Sequence, residues 1–229
     1  MTEALAHEWD WWFEPWKGLI ICGSCEGFMH FHSPCLICGQ DYRNTPNQKI
    51  TIDGQVVEVA ASFRGAIGYS DYTLLRLMYQ EWQRPLAMED CFPGMPIEKR
   101  PSLRLMIVIL FWTLFESLMD RFFEAATYHL PKPISEDILN RYSSIGSRFD
   151  RLYKILFSTT MASDLRQLGY GDLMTHLTEI QKKRNAFIHG EPEAINDDLV
   201  RVTLERLPEV QRAWIGLYNL RCTRPTVKG

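Results

Sequence analysis

The sequence predicts a mainly α fold, an antiparallel helical bundle preceded by a small, β-rich N-terminal appendage. Three observations carry that expectation. From about residue 70 onward the apolar residues recur near a 3.6-residue period, whereas before it they alternate with period 2. Residues 105–115 are apolar almost all round, so the helix that contains them has to be buried on every side, at the centre of a bundle or in a dimer interface. Near the N-terminus two tight cysteine pairs, Cys22/Cys25 and Cys35/Cys38, lie in a segment with few core residues of its own. With 229 residues, 46% hydrophobic and 23% charged, the chain can bury a sizeable core. Its expected organisation is an appendage over residues 1–62 and a helical bundle over 63–229.

The appendage is read from its cysteines. Cys22-Gly-Ser-Cys25 and Cys35-Leu-Ile-Cys38 give C-x2-C-x9-C-x2-C, two knuckles separated by enough chain for a hairpin. Four thiolates so placed satisfy tetrahedral zinc, and a small segment gains its folding energy from the metal. The pattern resembles a short zinc ribbon. Disulfides are the alternative, disfavoured because 1–10 shows no basic region followed by an apolar run, so no secretory signal is visible. A closed four-thiolate site leaves no open position for water, which makes the expected zinc structural. His30 and His32 lie between the pairs and are expected as surface or strand residues; Cys91 and Cys222 are expected as ordinary thiols. Trp9, Trp11, Trp12, Phe13 and Trp16 just before the ribbon could stack bases, but packing of the ribbon onto the helical body is the favoured role. After the ribbon, 49–59 alternates around Asp53-Gly54, a hairpin signal.

The helices follow in order. The first is expected over 71–84, then a Pro/Gly-rich loop over 85–101, then a long helix over 102–129. Pro131 and Pro133 are expected to end it. Ser135 with Glu136 and Asp137 starts the next, whose Ile138, Tyr142, Ile145, Phe149, Leu152 and Leu156 keep a 4-3-4-3-4 seam. Gly169 and Gly171 separate it from a helix ending near Gly190, and a last helix follows Asn196, with Pro208 kinking or restarting it. Short connections between four or five such helices predict the antiparallel arrangement.

Charge and hydropathy exclude some roles. A net charge of -3 argues against a broadly basic nucleic-acid coat, so any RNA contact has to rely on local patches. Lys182, Lys183 and Arg184 form one; Arg141, Arg148, Arg151 and Lys154 are read as a solvated charged face. The apolar run at 105–115 is far short of the ~20 residues a bilayer span needs. A cytoplasmic protein with no membrane contact is expected.

The densest chemistry lies in Lys182-Lys183-Arg184-Asn185-Ala186-Phe187-Ile188-His189-Gly190. Leu173, Leu177, Ile180 and Phe187 recur at steps of 4, 3 and 7, and Arg184 stands where that seam should hold another hydrophobe. A charge in a core-facing slot is costly unless it meets a carboxylate, a partner subunit or a bound phosphate. Asn185 and His189, four apart, share one face, whereas Arg184 and His189 diverge by roughly 140°. One helix aims both at one atom only if the Arg bends round, the helix frays at Gly190, or a second copy stands opposite. Glu116 and Asp120, one turn apart on the long helix, could pair with Arg184 and are the candidate supporting carboxylates, although their simplest role is structural. His129 and His176 match no motif and are expected as surface or capping residues.

Arg184-Asn185-Ala186-Phe187-Ile188-His189-Gly190 resembles the signature of the HEPN superfamily, with Arg184, Asn185 and His189 as the matching positions. The resemblance extends over roughly residues 70 to 225. It implies a helical bundle that dimerises, and a metal-independent endoribonuclease with Arg184, Asn185 and His189 as catalytic residues; Lys182 and Lys183, from the local basic cluster, are the expected RNA contacts. It also implies a setting in toxin–antitoxin or antiviral defence, with an antitoxin or defence-system partner. Other members of the superfamily bind nucleotides or act as scaffolds, so a non-catalytic binding or dimerisation module is the alternative. A third reading makes the chain a zinc-ribbon nucleic-acid adaptor with an oligomerising helical body.

Overall fold

A computed structural model describes residues 3–46, 48–52, 54–59, 64–86 and 92–224. The fold is mainly α, with two small antiparallel hairpins near the N-terminus. Helices α1 (Glu3–Ala6) and α2 (Trp9–Phe13) and a 3-10 turn (Glu14–Trp16) lead into β1 (Leu19–Ile21) and β2 (Phe28–His30), paired with Ile20 opposite Met29. β3 (Gln48–Ile52) and β4 (Gln55–Val59) form the second hairpin, turning through Gly54 at φ 79°, a conformation that favours glycine. The alternation around residue 54 is thus a hairpin; Asp53 itself lies outside the described residues.

The N-terminal aromatics join the helical core. Trp12 and Trp16 are buried, and Trp9, Trp11 and Phe13 pack partly buried against the same cluster. The Trp12 indole donates to the Ala6 carbonyl at 2.8 Å, and Gln211 Nε2 reaches the Trp12 carbonyl at 3.2 Å. The Trp16 ring lies 5.7 Å from that of Trp214. The rings pack the N-terminal segment onto the helical body, and truncating buried Trp12 or Trp16 to Ala would cost about 3–5 kcal/mol.

The body is built on α3 (Tyr69–Gln83), α4 (Met106–Thr127), α5 (Lys132–Arg141), α6 (Ile145–Ser147), α7 (Tyr153–Phe157), α8 (Met161–Gln167), α9 (Leu173–Ile188) and α10 (Asp197–Arg221). As its composition requires, α4 is the central helix: Ile107, Val108, Phe111, Trp112, Leu114, Phe115, Leu118 and Met119 are all buried. It packs against α3, α9 and α10. Asn196 caps α10, its side-chain oxygen accepting from Leu199 N at 2.9 Å. Buried Asp71 ties α3 to α4 by accepting from Gly68 N at 3.1 Å, from Ser117 Oγ at 2.7 Å and from the Arg121 guanidinium.

Several expectations need correction. The 4-3-4-3-4 seam is not one helix: α5 stops at Arg141, and the chain restarts at α6, passes through a π-helical turn (Arg148–Leu152) and continues as α7. Ser144 caps the restart by accepting from Ser147 N at 3.3 Å, and Arg148 Nε takes the Tyr142 carbonyl at 2.8 Å. Ile145, Phe149 and Leu152 are nevertheless buried, so the apolar positions were right and the continuity was not. Pro133 does not end the preceding helix but sits in the first turn of α5, where its missing N–H costs nothing. The helix α8, capped by Thr160 accepting from Ser163 N at 3.2 Å, was not anticipated. Pro208 neither ends nor restarts α10, which runs through it.

Candidate functional site

The motif residues stand at the C-terminal end of α9. Leu173, His176, Leu177 and Ile180 form its buried face, and Arg184, one turn further on, continues that face half-buried. The Arg184 side chain bends toward its neighbour, Nη1 donating to Asn185 Oδ1 at 3.1 Å, while its buried Nε has no acceptor. Among the described residues Arg184 forms no ion pair. With Asn185 Oδ1 engaged, the amide Nδ2 is the part of Asn185 left to donate outward.

His189 is exposed at the C-cap, with φ -88° and ψ 9°. Beyond it the helix closes with a Schellman motif: Gly190 N reaches the Phe187 carbonyl at 3.1 Å and Glu191 N the Ala186 carbonyl at 3.0 Å. That closure needs the left-handed backbone at Gly190, whose φ is 103°. The Gly190 stop signal therefore places the His in the terminal turn, as its position in the sequence suggests. Lys182 and Lys183, a turn or two back, are exposed.

The two candidate carboxylates are engaged elsewhere. Glu116 accepts the Trp112 indole N–H at 2.7 Å, and Asp120 pairs with Arg148. Arg141 pairs with Asp137 at 2.8 Å. Arg148 and Arg141 thus belong to structural ion pairs, while Arg151 and Lys154 stay exposed.

The four cysteines form the other candidate centre. The sulfurs of Cys22, Cys25, Cys35 and Cys38 all lie within 4.8 Å of one another, with Cys22–Cys38 and Cys25–Cys35 at 3.6 Å. Zn–S bonds of 2.3 Å in a tetrahedron demand sulfur separations of about 3.8 Å, so this set fits a tetrahedral metal ion such as zinc. The separations are far beyond the ~2.05 Å of a disulfide. Burial opposes the Cys22 thiolate, but backbone N–H groups of Cys25 and Ser24 and the thiols of Cys38 and Cys25 lower that thiol to about 7; burial pushes Cys25 well above the usual thiol range. His30 and His32 are exposed and outside the cluster.

The knuckles are fastened to α10. Asn219 brackets Phe28, its Oδ1 accepting from Phe28 N at 2.7 Å and its Nδ2 donating to the carbonyl at 3.4 Å. Arg224 N reaches the Cys25 carbonyl at 2.8 Å, and the Phe28 ring stacks on Tyr218 at 4.5 Å. A Cβ at Gly27 would come within 2.4 Å of Ile37 Cδ1 and 2.9 Å of Thr223 Cγ2, so any larger residue would have to push these two side chains aside.

Three buried polar features escaped the sequence reading. Asp164 accepts from Tyr153 at 2.5 Å and from Arg221 at 2.6 and 2.7 Å; burial disfavours its charge, yet these partners hold its carboxyl below the usual range. Asp71 binds Arg121, as described. His176, expected at the surface or as a cap, is instead 7% exposed, its Nε2 without a partner. Burial, aided by the Arg206 charge, depresses its imidazole to about 4. His129 is exposed. Cys222 is buried against the Phe122 carbonyl at 3.5 Å, and burial pushes its thiol up to about 12. Cys91 lies outside the described residues.

Among the described residues no helix is long and apolar enough to cross a membrane. No family model, no curated protein and no solved structure matches the chain, so the HEPN resemblance stands on residues 184–189 alone.

Proposed function

We propose that the chain is a metal-independent endoribonuclease whose site is built on Arg184, Asn185 and His189 at the end of α9. One observation carries the reading: a guanidinium in a core-facing slot with a buried, unpartnered Nε and no carboxylate, directly after two exposed Lys and five residues before an exposed His. A bound phosphate supplies the missing acceptor and charge, and the planar guanidinium fork suits it.

His189 takes the proton of a ribose 2'-OH as the 2'-oxygen attacks phosphorus. The P–O5' bond breaks, and the leaving 5'-oxygen gains a proton from an imidazolium, of this or a second copy. Arg184 holds the phosphoryl oxygens as charge accumulates, and Asn185 Nδ2 donates to one of them or to the imidazole. Lys182 and Lys183 draw in the adjoining backbone. The products are a 2',3'-cyclic phosphate and a 5'-OH end. A homodimer that sets two α9 ends face to face would complete the site, and an antitoxin or defence partner would restrain it.

Zinc is the proposed occupant of the cysteine cluster, held by Cys22, Cys25, Cys35 and Cys38. Bound there, it stabilises the knuckles and takes no part in the cleavage chemistry.

The test is incubation of total cellular RNA with purified protein in EDTA, comparing wild type with His189→Ala and Arg184→Ala. The expected result is fragmentation by wild type that falls at least about a hundredfold in either variant. Equal silence from all three folded proteins would favour a binding module; equal cleavage would move the site elsewhere.

A further inference from the structure

A groove of ≈ 500 Å³ opens directly beyond the motif helix, with Met95, Pro96 and Lys99 on one side and Glu191, Pro192 and Glu193 on the other. Consecutive Cα atoms are 3.8 Å apart, so Glu191 begins within about 7 Å of His189. The walls are held in place: the 3-10 turns Ile97–Lys99 and Pro192–Ala194 pack on each other, and Glu191 N is fixed by the Schellman bond to Ala186. Lys99, Glu191 and Glu193 line one groove, yet among the described residues none of them forms an ion pair.

Two carboxylates repel phosphate, so a strand crossing His189 keeps its backbone out of this groove and toward Lys182 and Lys183, about 10 Å back along the helix axis. The lining suits a base instead. Proline and methionine faces suit a flat apolar ring, a carboxylate accepts paired N–H donors, and an ammonium donates to ring and carbonyl acceptors. Guanine alone among the four bases offers adjacent N1–H and N2–H donors on one edge and the O6/N7 acceptor pair on another.

We infer that the Met95–Lys99 and Glu191–Glu193 groove is a guanine-selecting subsite for the nucleotide beside the cleaved bond. It rests on the ribonuclease reading. Glu191 or Glu193 accepts the N1–H and N2–H pair, Lys99 donates to O6 or N7, and the apolar walls stack the ring.

The experiment digests a random-sequence RNA pool with wild-type protein, His189→Ala, the Glu191→Gln/Glu193→Gln double variant and Lys99→Met, and sequences the new 5'-OH ends. The readout is the base ratio beside the cut within each sample, which is independent of overall rate. Wild type is expected to favour guanine roughly tenfold, the double variant to lose most of that bias and Lys99→Met part of it. Cleavage by wild type, absent from His189→Ala, with no guanine bias or with a bias unchanged in the double variant, overturns the subsite and leaves the ribonuclease reading standing. Absence of His189-dependent ends overturns both.

Discussion

Replacing His176 by Leu should remove most of the chain's extra sensitivity to mild acid. The imidazole is 7% exposed, its Nε2 has no partner, and burial beside Arg206 depresses it from 6.5 to about 4. Because the folded value is the lower one, the unfolded chain binds the proton first, and folding stability is lost as pH falls from 6.5 toward 4. Linkage over that window gives a loss of about 1.4 kcal/mol at pH 5.5 and about 3 kcal/mol at pH 4. His176→Leu has no proton to bind and removes an unpartnered polar atom, so it should be at least as stable as wild type at pH 7.5, and its margin should widen by those amounts in acid. Urea unfolding of both proteins at pH 7.5, 5.5 and 4 measures the difference; the cysteine cluster is common to both and cancels. Parallel pH profiles would show that His176 is protonated in the folded protein or solvated there, and would refute the burial argument.

Three further outcomes follow from the same structure. Chelating a metal held by the four cysteines, or replacing Cys25 by Ser, should lower the melting temperature of the whole body, because Asn219, Arg224 and Tyr218 of the α10 region hold the knuckles directly; metal content and helical circular dichroism, followed together on heating, check this. Asp71→Ala leaves the Arg121 guanidinium without its buried partner and should cost about 3–5 kcal/mol in denaturant unfolding. Gly190→Val forces a β-branched residue to φ 103°, costing about 1–3 kcal/mol and displacing His189 from the closed helix end, which thermal unfolding and the RNA assay would each register.

The elements most legible in the sequence were those set by spacing or composition alone. Cys22, Cys25, Cys35 and Cys38 converge because short knuckles leave their thiols few other positions. The apolar run of α4 requires burial on all sides whatever surrounds it, and Gly190 closes α9 because glycine tolerates the left-handed turn. What stayed hidden depends on contacts between distant segments. The break after Arg141 is held by Arg148 reaching back to the Tyr142 carbonyl, a bond that periodicity cannot foresee. Asp120 is one turn from Glu116 and looked equally available, but Arg148 claims it. His176 looked like a surface residue because polar residues usually are, yet it falls on the same face as Leu173, Leu177 and Ile180, and that spacing was the overlooked signal. The groove beside His189 joins residues nearly a hundred positions apart, and no local pattern announces it.

Internal attack by a 2'-oxygen at the Arg184–His189 site is tested most directly on a single oligonucleotide. One that the protein cleaves is resynthesised with a single 2'-deoxy substitution at the mapped position, and both are incubated with the protein in EDTA. Internal attack gives a 2',3'-cyclic phosphate and a 5'-OH from the all-ribo strand and no cut at the substituted position. Cleavage of the deoxy strand at the same bond, or products bearing a 5'-phosphate, would contradict it.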